Sequence, residues 1–239
     1  MCPVSPAPND YPDVGSVHAG CRIEKLLGRG GMGAAFLAQR QDGQRVVLKF
    51  LAPEVAKNPE LRARFAREWD ALKKVHAHPN VVRILGVHEE AVLPCIEMEF
   101  VQGHALEDVL KTHGKITAAK AVEIGIGVAR GLGAVHAHGL IHRDVKPGNV
   151  IVDAEGTAKI VDFGLAKDQF LSAMTQPGQI LGTASYMAPE QWEDEEVGAH
   201  SDVCALGATL YHLMCGHSPF DGDDLDEIAD MALAGEYEP

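Results

Sequence analysis

The sequence predicts an α+β fold. Two tight-turn dipeptides, Asp42-Gly43 and Glu155-Gly156, each separate two short strand-like runs. Between them a helix start is written, with Asn58 as N-cap and Pro59 at the first helical position. The chain has 239 residues, 46% of them hydrophobic and 23% charged, which suits a packed soluble fold with a sizeable core and not a disordered chain.

Taken in order, residues 1–16 read as a flexible Pro-rich lead-in, without the basic and apolar regions of a signal peptide. "CRIEKLL" is a strand candidate, and "LGRGGMG" after it spells G-x-G-x-x-G at Gly28, Gly30 and Gly33. Two phosphate-binding devices share that spelling, a strand-to-helix dinucleotide turn and a hairpin flap. The run that follows, "AAFLAQRQDGQRVVLKF", is a hairpin with no helix, so the flap is the reading. In "VVLKF", Val47 and Lys49 share one face because side chains alternate along a strand. The helix begun at Asn58 carries an apolar stripe of Leu61, Phe65, Leu72 and Val75, interrupted by Glu68. A carboxylate within a buried stripe needs a partner, and Lys49 is the natural one.

The most informative stretch is "LIHRDVKPGNVIVDAEGTAKIVDFGLAK". Asp144, Lys146 and Asn149 precede a short strand pair that ends on Asp162-Phe163-Gly164. Two carboxylates, an amide and a lysine on adjacent loops suit metal-assisted phosphoryl transfer, in which cations meet the developing charge and oxygen ligands hold the cations.

On these motifs, in this order and spacing, the chain from about Gly20 onward resembles the eukaryotic-type (Hanks-type) Ser/Thr protein kinases, most closely their bacterial branch. The resemblance implies a bilobal protein-kinase-like fold, with a β-rich N-lobe over 17–101 and a larger, mainly helical C-lobe over 102–239. It implies ATP and Mg²⁺ (or Mn²⁺) as cofactors. Leu27, Gly28, Gly30, Gly33, Ala35, Val47, Met98, Glu99, Val101 and Ile151 would surround the nucleotide. Lys49 would contact the α- and β-phosphates and pair with Glu68. Asp144 would accept the substrate hydroxyl proton, Lys146 would steady the γ-phosphate, and Asn149 and Asp162 would hold the metal. Lys146 and "GTASYMAPE" resemble the Ser/Thr rather than the Tyr branch, with Thr183 positioning the hydroxyl. Arg143 and Lys167 would answer a phosphorylated activation loop, with Thr175 as its main site.

Three departures accompany the resemblance. Ala35 stands where the family usually has Val, and Val47 where it usually has Ala, two swaps that together conserve volume. The sequence stops at "GEYEP", just past the expected helix αG, as a fragment or a short kinase would. The arginine that usually pairs with the Glu of A-P-E is missing, so Glu190 is expected to lack a basic partner.

Residues 1–167 hold all 21 Lys and Arg against 19 acids, whereas 168–239 hold 15 acids and no Lys or Arg. Nucleic acid is excluded by that half. The acidic surface is either simply solvated or attractive to protein substrates with basic residues near the target Ser or Thr. Five scattered cysteines (Cys2, Cys21, Cys95, Cys204, Cys215) argue for a reducing, cytoplasmic setting. No run is long and apolar enough to span a membrane. No cysteine or carboxylate cluster accompanies His136, His138 and His142 to suggest a metal, and the resemblance implies that His142 is a core spine residue and His136 a packing residue. The activity expected is ATP-dependent phosphorylation of protein Ser/Thr hydroxyls in signalling. A second reading is a nucleotide-binding pseudokinase or scaffold, or an inactive truncated fragment. Substrate, upstream signal and oligomeric state stay open.

Overall fold

A computed structural model describes residues 11–30, 33–75, 78–89, 93–163, 182–193 and 195–237. The chain divides into two compact units: residues 1–73 with 83–100, and residues 74–82 with 101–239.

The first unit is built on a six-stranded antiparallel sheet. Its strands are β1 (Val17–His18), β2 (Cys21–Gly30), β3 (Gly33–Gln39), β4 (Arg45–Leu51), β5 (Ile84–His88) and β6 (Cys95–Glu99), in spatial order β1-β2-β3-β4-β6-β5. The hairpin at Asp42-Gly43 forms as expected: Gly43 has φ +87°, and the Gln44 N–H donates to Asp42 Oδ1 at 2.9 Å. Alternation along β3 and β4 sends Phe36, Val46, Leu48 and Phe50 into one core. Tyr11 joins that core against Phe36, ring centroids 6.3 Å apart, and the Gly15 N–H donates to Ile23 O. Within the stretch expected to be a Pro-rich lead-in, Tyr11 is buried while residues 13–15 are exposed, and residues 1–10 lie outside the described residues.

A short helix, α1 (Pro53–Ala56), leads to α2 (Pro59–Lys74). Asn58 caps α2, its Oδ1 accepting from the Glu60 N–H at 3.0 Å. Phe65, Leu72 and Val75 are buried as the stripe predicted, and Trp69 is buried beside Phe65.

The second unit has a three-stranded sheet of β7 (Gly103–Ala105), β8 (Val150–Asp153) and β9 (Ala158–Ile160), with four described helices: α3 (Leu106–His113), α4 (Ala118–His136), α5 (Ala199–Cys215) and α6 (Leu225–Ala234). The turn at Glu155-Gly156 joins β8 to β9, with Gly156 at φ +83°. Apolar faces of α3, α4 and α5 bury Leu106, Leu110, Ile124, Val128, Leu132, Leu206 and Leu213 with Val150 and Ile160. Residues 74–82 group here because Asn80 is stitched to β9: its Nδ2 donates to Ala158 O at 2.7 Å, and its carbonyl accepts from the Ile160 N–H at 2.9 Å. Gly131 lets α4 approach this junction, since a Cβ there would lie 2.7 Å from Asn80 O.

Candidate active site

The loop between α4 and β8 carries Asp144, Lys146 and Asn149. Residues Pro147–Asn149 form a single 3₁₀ turn, fixed by the proline and by the Asn149 N–H donating to Lys146 O at 2.9 Å. Asn149 Nδ2 donates twice to Asp144, at 2.7 Å to its carbonyl and 2.9 Å to Oδ2. Lys146 Nζ lies 3.2 Å from Asp144 Oδ1 and donates to Thr183 Oγ1 at 2.7 Å. Asp144, Lys146, Asn149 and Thr183, expected together from their motifs, are thus joined in one network. It contains a carboxylate that can take a proton, a cation beside it, and a hydroxyl fixed by the cation.

The backbone of this loop is strained and held from elsewhere. Arg143 in this loop has φ +65°, and Asp162, just beyond β9, has φ +59°, a region costly for side chains with a Cβ. Asp202, near the start of α5 and about 1% exposed, accepts from the His142 N–H at 2.8 Å and the Arg143 N–H at 2.7 Å, with His136 Nε2 2.7 Å from Oδ2. His142 is fully buried and connects the loop to the Asp162 segment. Its Nδ1 accepts from the Asp144 N–H at 3.2 Å, which leaves Nε2 to donate to Val161 O at 3.1 Å; its ring lies 4.7 Å from that of Phe163. The Val161 N–H donates to Asn149 O at 2.9 Å, so the two segments are hydrogen-bonded in both directions.

In the first unit, β2 and β3 form the glycine hairpin, paired out to Gly30 opposite Gly33. Gly33 has φ +148°, and a Cβ there would collide with the Phe50 carbonyl. β4 turns Val46, Leu48 and Phe50 into the core, which leaves Val47 and Lys49 on the other face. Ala35 stands opposite Lys49, and Met98 opposite Val47, so these four share that face. The Glu99 N–H donates to Arg83 O at 3.0 Å, and its side chain accepts from the Arg83 N–H. Leu27 is nearly half exposed on β2. Val101 and Ile151 belong to the second unit, with Ile151 on β8 opposite Ala105 and Lys159.

The profile of a family described as "Protein kinase domain" matches residues 21–237. This chain belongs to the protein kinase domain family. The kinase domain is 38% identical over 207 residues to "Probable serine/threonine-protein kinase PkwA" of Thermomonospora curvata, covering 87% of this chain and 28% of that protein. It is 38% identical over 218 residues to "Serine/threonine-protein kinase PknD" of Mycobacterium tuberculosis, covering 91% of this chain and 33% of that one. Among solved structures it is similar to the M. tuberculosis PknI kinase domain, with a TM-score of 0.71 and 29% identity over 88% of this chain and 78% of that chain. The kinase domain spans about a third of the length of these two curated relatives.

Several of the expected site residues fall outside the described residues: Lys167 and Thr175, and the side chain of Glu68 in α2, hence its pairing with Lys49. Glu190 meets its expectation in part. His200 Nε2 lies 3.2 Å from its Oε1, close enough for an ion pair if the imidazole is protonated, but that buried oxygen makes no hydrogen bond, in keeping with the expected lack of a Lys or Arg partner. Sequence reasoning missed Asp202. Its one signal was an acid placed early in an otherwise apolar helix. A metal fits the donor set. Asn149 commits its amide nitrogen to Asp144, which turns its carbonyl oxygen elsewhere, and Asp162 adds a carboxylate; both are hard oxygen donors of the kind Mg²⁺ takes.

Proposed function

We propose that this kinase domain transfers the γ-phosphoryl group of ATP to Ser or Thr hydroxyls of proteins. The observation that supports it most is the network of Asp144, Lys146, Asn149 and Thr183. Asp144 is the group that takes the hydroxyl proton, and Asn149 orients its Oδ2. Thr183 positions the incoming hydroxyl, itself held by Lys146, and Lys146 meets charge on the transferring group. Asn149 and Asp162 are the residues assigned to Mg²⁺ or Mn²⁺, which when bound would neutralise phosphate charge. Gly28, Gly30, Gly33 and Lys49 are assigned to the phosphates. Leu27, Ala35, Val47, Met98, Glu99, Val101 and Ile151 are assigned to adenine and ribose. Glu68 is assigned as the partner of Lys49.

Arg143, Lys167 and Thr175 form the proposed regulatory set, with phosphate on Thr175 answering the two cations. Thr175→Ala is expected to lower both phosphate stoichiometry and activity; a variant unchanged in both removes this assignment. No helix among the described residues is long and apolar enough to cross a membrane. A cytoplasmic setting and basic protein substrates are part of the proposal.

The test is transfer of radiolabel from ATP, with Mg²⁺, to the protein itself and to a generic basic protein, with Asp144→Asn as control. Transfer that vanishes in the variant supports the proposal. Normal Mg-ATP binding without transfer points to a pseudokinase.

A further inference from the structure

The glycine hairpin of the first unit has two faces. Ala35, opposite both Gly28 and Lys49, lies on the face assigned to the nucleotide. Arg29 stands opposite Ala34, which is buried with Phe36 in the core of the sheet, so Arg29 is on the other face. Tyr11 sits on that outer face. Its ring is buried, with the Arg29 guanidinium carbon 5.0 Å from the ring centroid and the Phe36 ring 6.3 Å away. Phe36 in turn meets Phe50 edge-on at 5.6 Å. Tyr11 therefore continues the core of the sheet and also touches the cation that lies between two glycines of the flap, Gly28 and Gly30.

Backbone hydrogen bonds set the place of Tyr11. The Ser16 N–H and hydroxyl both donate to Asp13 O, at 3.1 and 2.6 Å, and close a turn. That turn is tied to β2 in both directions, the Gly15 N–H donating to Ile23 O at 2.8 Å and the Ile23 N–H to Ser16 O at 2.9 Å. The hairpin has a weak point where Tyr11 meets it. Pairing of β2 with β3 passes from Leu26–Phe36 to Gly28–Ala35, over Leu27, and a bulge of this kind bends the strand. Residues 26–30 of β2 are all exposed, so little packing on their own strand holds the end beyond the bulge. Tyr11 spans the bulge: Phe36 pairs on one side of it and Arg29 on the other. A cation over a tyrosine ring and an aromatic pair are each modest contacts, and the first is lost if the flap lifts away. Tyr11 also precedes residues 21–237, the stretch that the family profile matches.

We propose that Tyr11 is a positioning residue for the glycine flap, bracing it from the outer face through Arg29 and Phe36 and so fixing how closely its backbone approaches the nucleotide phosphates. The proposal rests on the assignment of Gly28, Gly30 and Gly33 to those phosphates within the phosphotransfer reading above.

The test compares Tyr11→Leu, which keeps an apolar group in the core but removes the ring, with Arg29→Met and with the double variant. The Kd is measured for Mg-ATP and for adenosine, which offers the base and ribose without phosphates, and phosphate transfer is followed on the same preparations. Tyr11→Leu is expected to weaken Mg-ATP by about three- to tenfold and to leave adenosine within about twofold, with the loss in transfer appearing in KM for ATP and not in kcat. Arg29→Met, at an exposed position, should shift Mg-ATP in the same sense, and it decides the question alone if Tyr11→Leu does not fold. The double variant should be no weaker than Tyr11→Leu, because both substitutions break one contact. Tyr11→Phe, which keeps the ring, should rescue the affinity. Mg-ATP affinity unchanged in the folded single variants overturns the proposal. So do equal losses for Mg-ATP and adenosine, additive effects of the two substitutions, or a Tyr11→Phe protein as weak as Tyr11→Leu. Selective loss of Mg-ATP in these variants of a protein that transfers no phosphate would keep the brace and remove the phosphotransfer reading. Transfer with a KM for ATP that ignores both substitutions would do the reverse.

Discussion

Among the described residues each unit buries one carboxylate deeply, and the two are satisfied in opposite ways. Glu97, on β6 of the first unit, is answered by side chains: Arg40 Nε at 2.5 Å and His88 Nε2 at 3.1 Å, with the Cys21 thiol 3.9 Å away. Asp202, in the second unit, is answered mainly by backbone, through the N–H groups of His142 and Arg143. A charge paired with charges ties strands of a sheet together. A carboxylate paired with backbone amides dictates the shape of a loop, including the unfavourable φ of +65° at Arg143. The loop fixed in this way carries Asp144, so the backbone-paired carboxylate supports the proposed chemistry, whereas the side-chain-paired one ties the sheet.

The comparison breaks most visibly at Asp202. Asp202→Ala removes the acceptor of two backbone amides, one buried and one part-buried, and the partner of His136, and is expected to cost about 3–5 kcal/mol in urea unfolding. A loss below about 1 kcal/mol would mean that the loop holds its own shape. Glu97→Gln should cost less, about 2 kcal/mol, because the amide can still accept one hydrogen bond.

The Glu97 pair is also sharpened by pH. Burial alone would raise its carboxyl, but hydrogen bonds from Arg40 and His88, and their charges, outweigh burial and hold it below the ordinary value of 4.5. A lowered folded value means that the carboxylate stabilises the fold above the unfolded value, and that this contribution fades as pH falls through the folded one. The stability gap between wild type and Glu97→Gln should thus be full at neutral pH and narrow below 4.5; a gap independent of pH contradicts the pairing. His200→Ala should have the smallest effect, under about 1 kcal/mol, because the imidazole beside Glu190 is 64% exposed. A larger loss would show Glu190 to depend on this one partner.

What was legible in the sequence follows the same division. The glycine hairpin, the helix from Asn58 and the stretch from Asp144 to Asp162 were readable because each is local: turn chemistry, caps and neighbours within a few residues define them. Even the link from Lys146 to Thr183 could be expected, since both lie in recognisable motifs. Asp202 could not, because its partners lie about sixty residues earlier and a helix period says which face is buried, not what it meets. Glu97 sits in a strand of apolar neighbours and pairs with Arg40 across 57 positions of sequence, beyond the reach of alternation. Tyr11 was hidden by the prolines around it. Tyr186 and His212, 26 positions apart, come together only through tertiary packing.

The most direct test of the account is steady-state phosphate transfer by Asp202→Asn beside Asp144→Asn, with Mg-ATP affinity measured on the same preparations. The asparagine keeps the shape of Asp202 but turns an NH₂ group toward a backbone N–H it must oppose. The account predicts that both variants lose kcat by about a hundredfold or more while the Kd for Mg-ATP stays within about threefold. An Asp202→Asn protein that turns over at the wild-type rate would contradict the claim that the buried carboxylate shapes the catalytic loop.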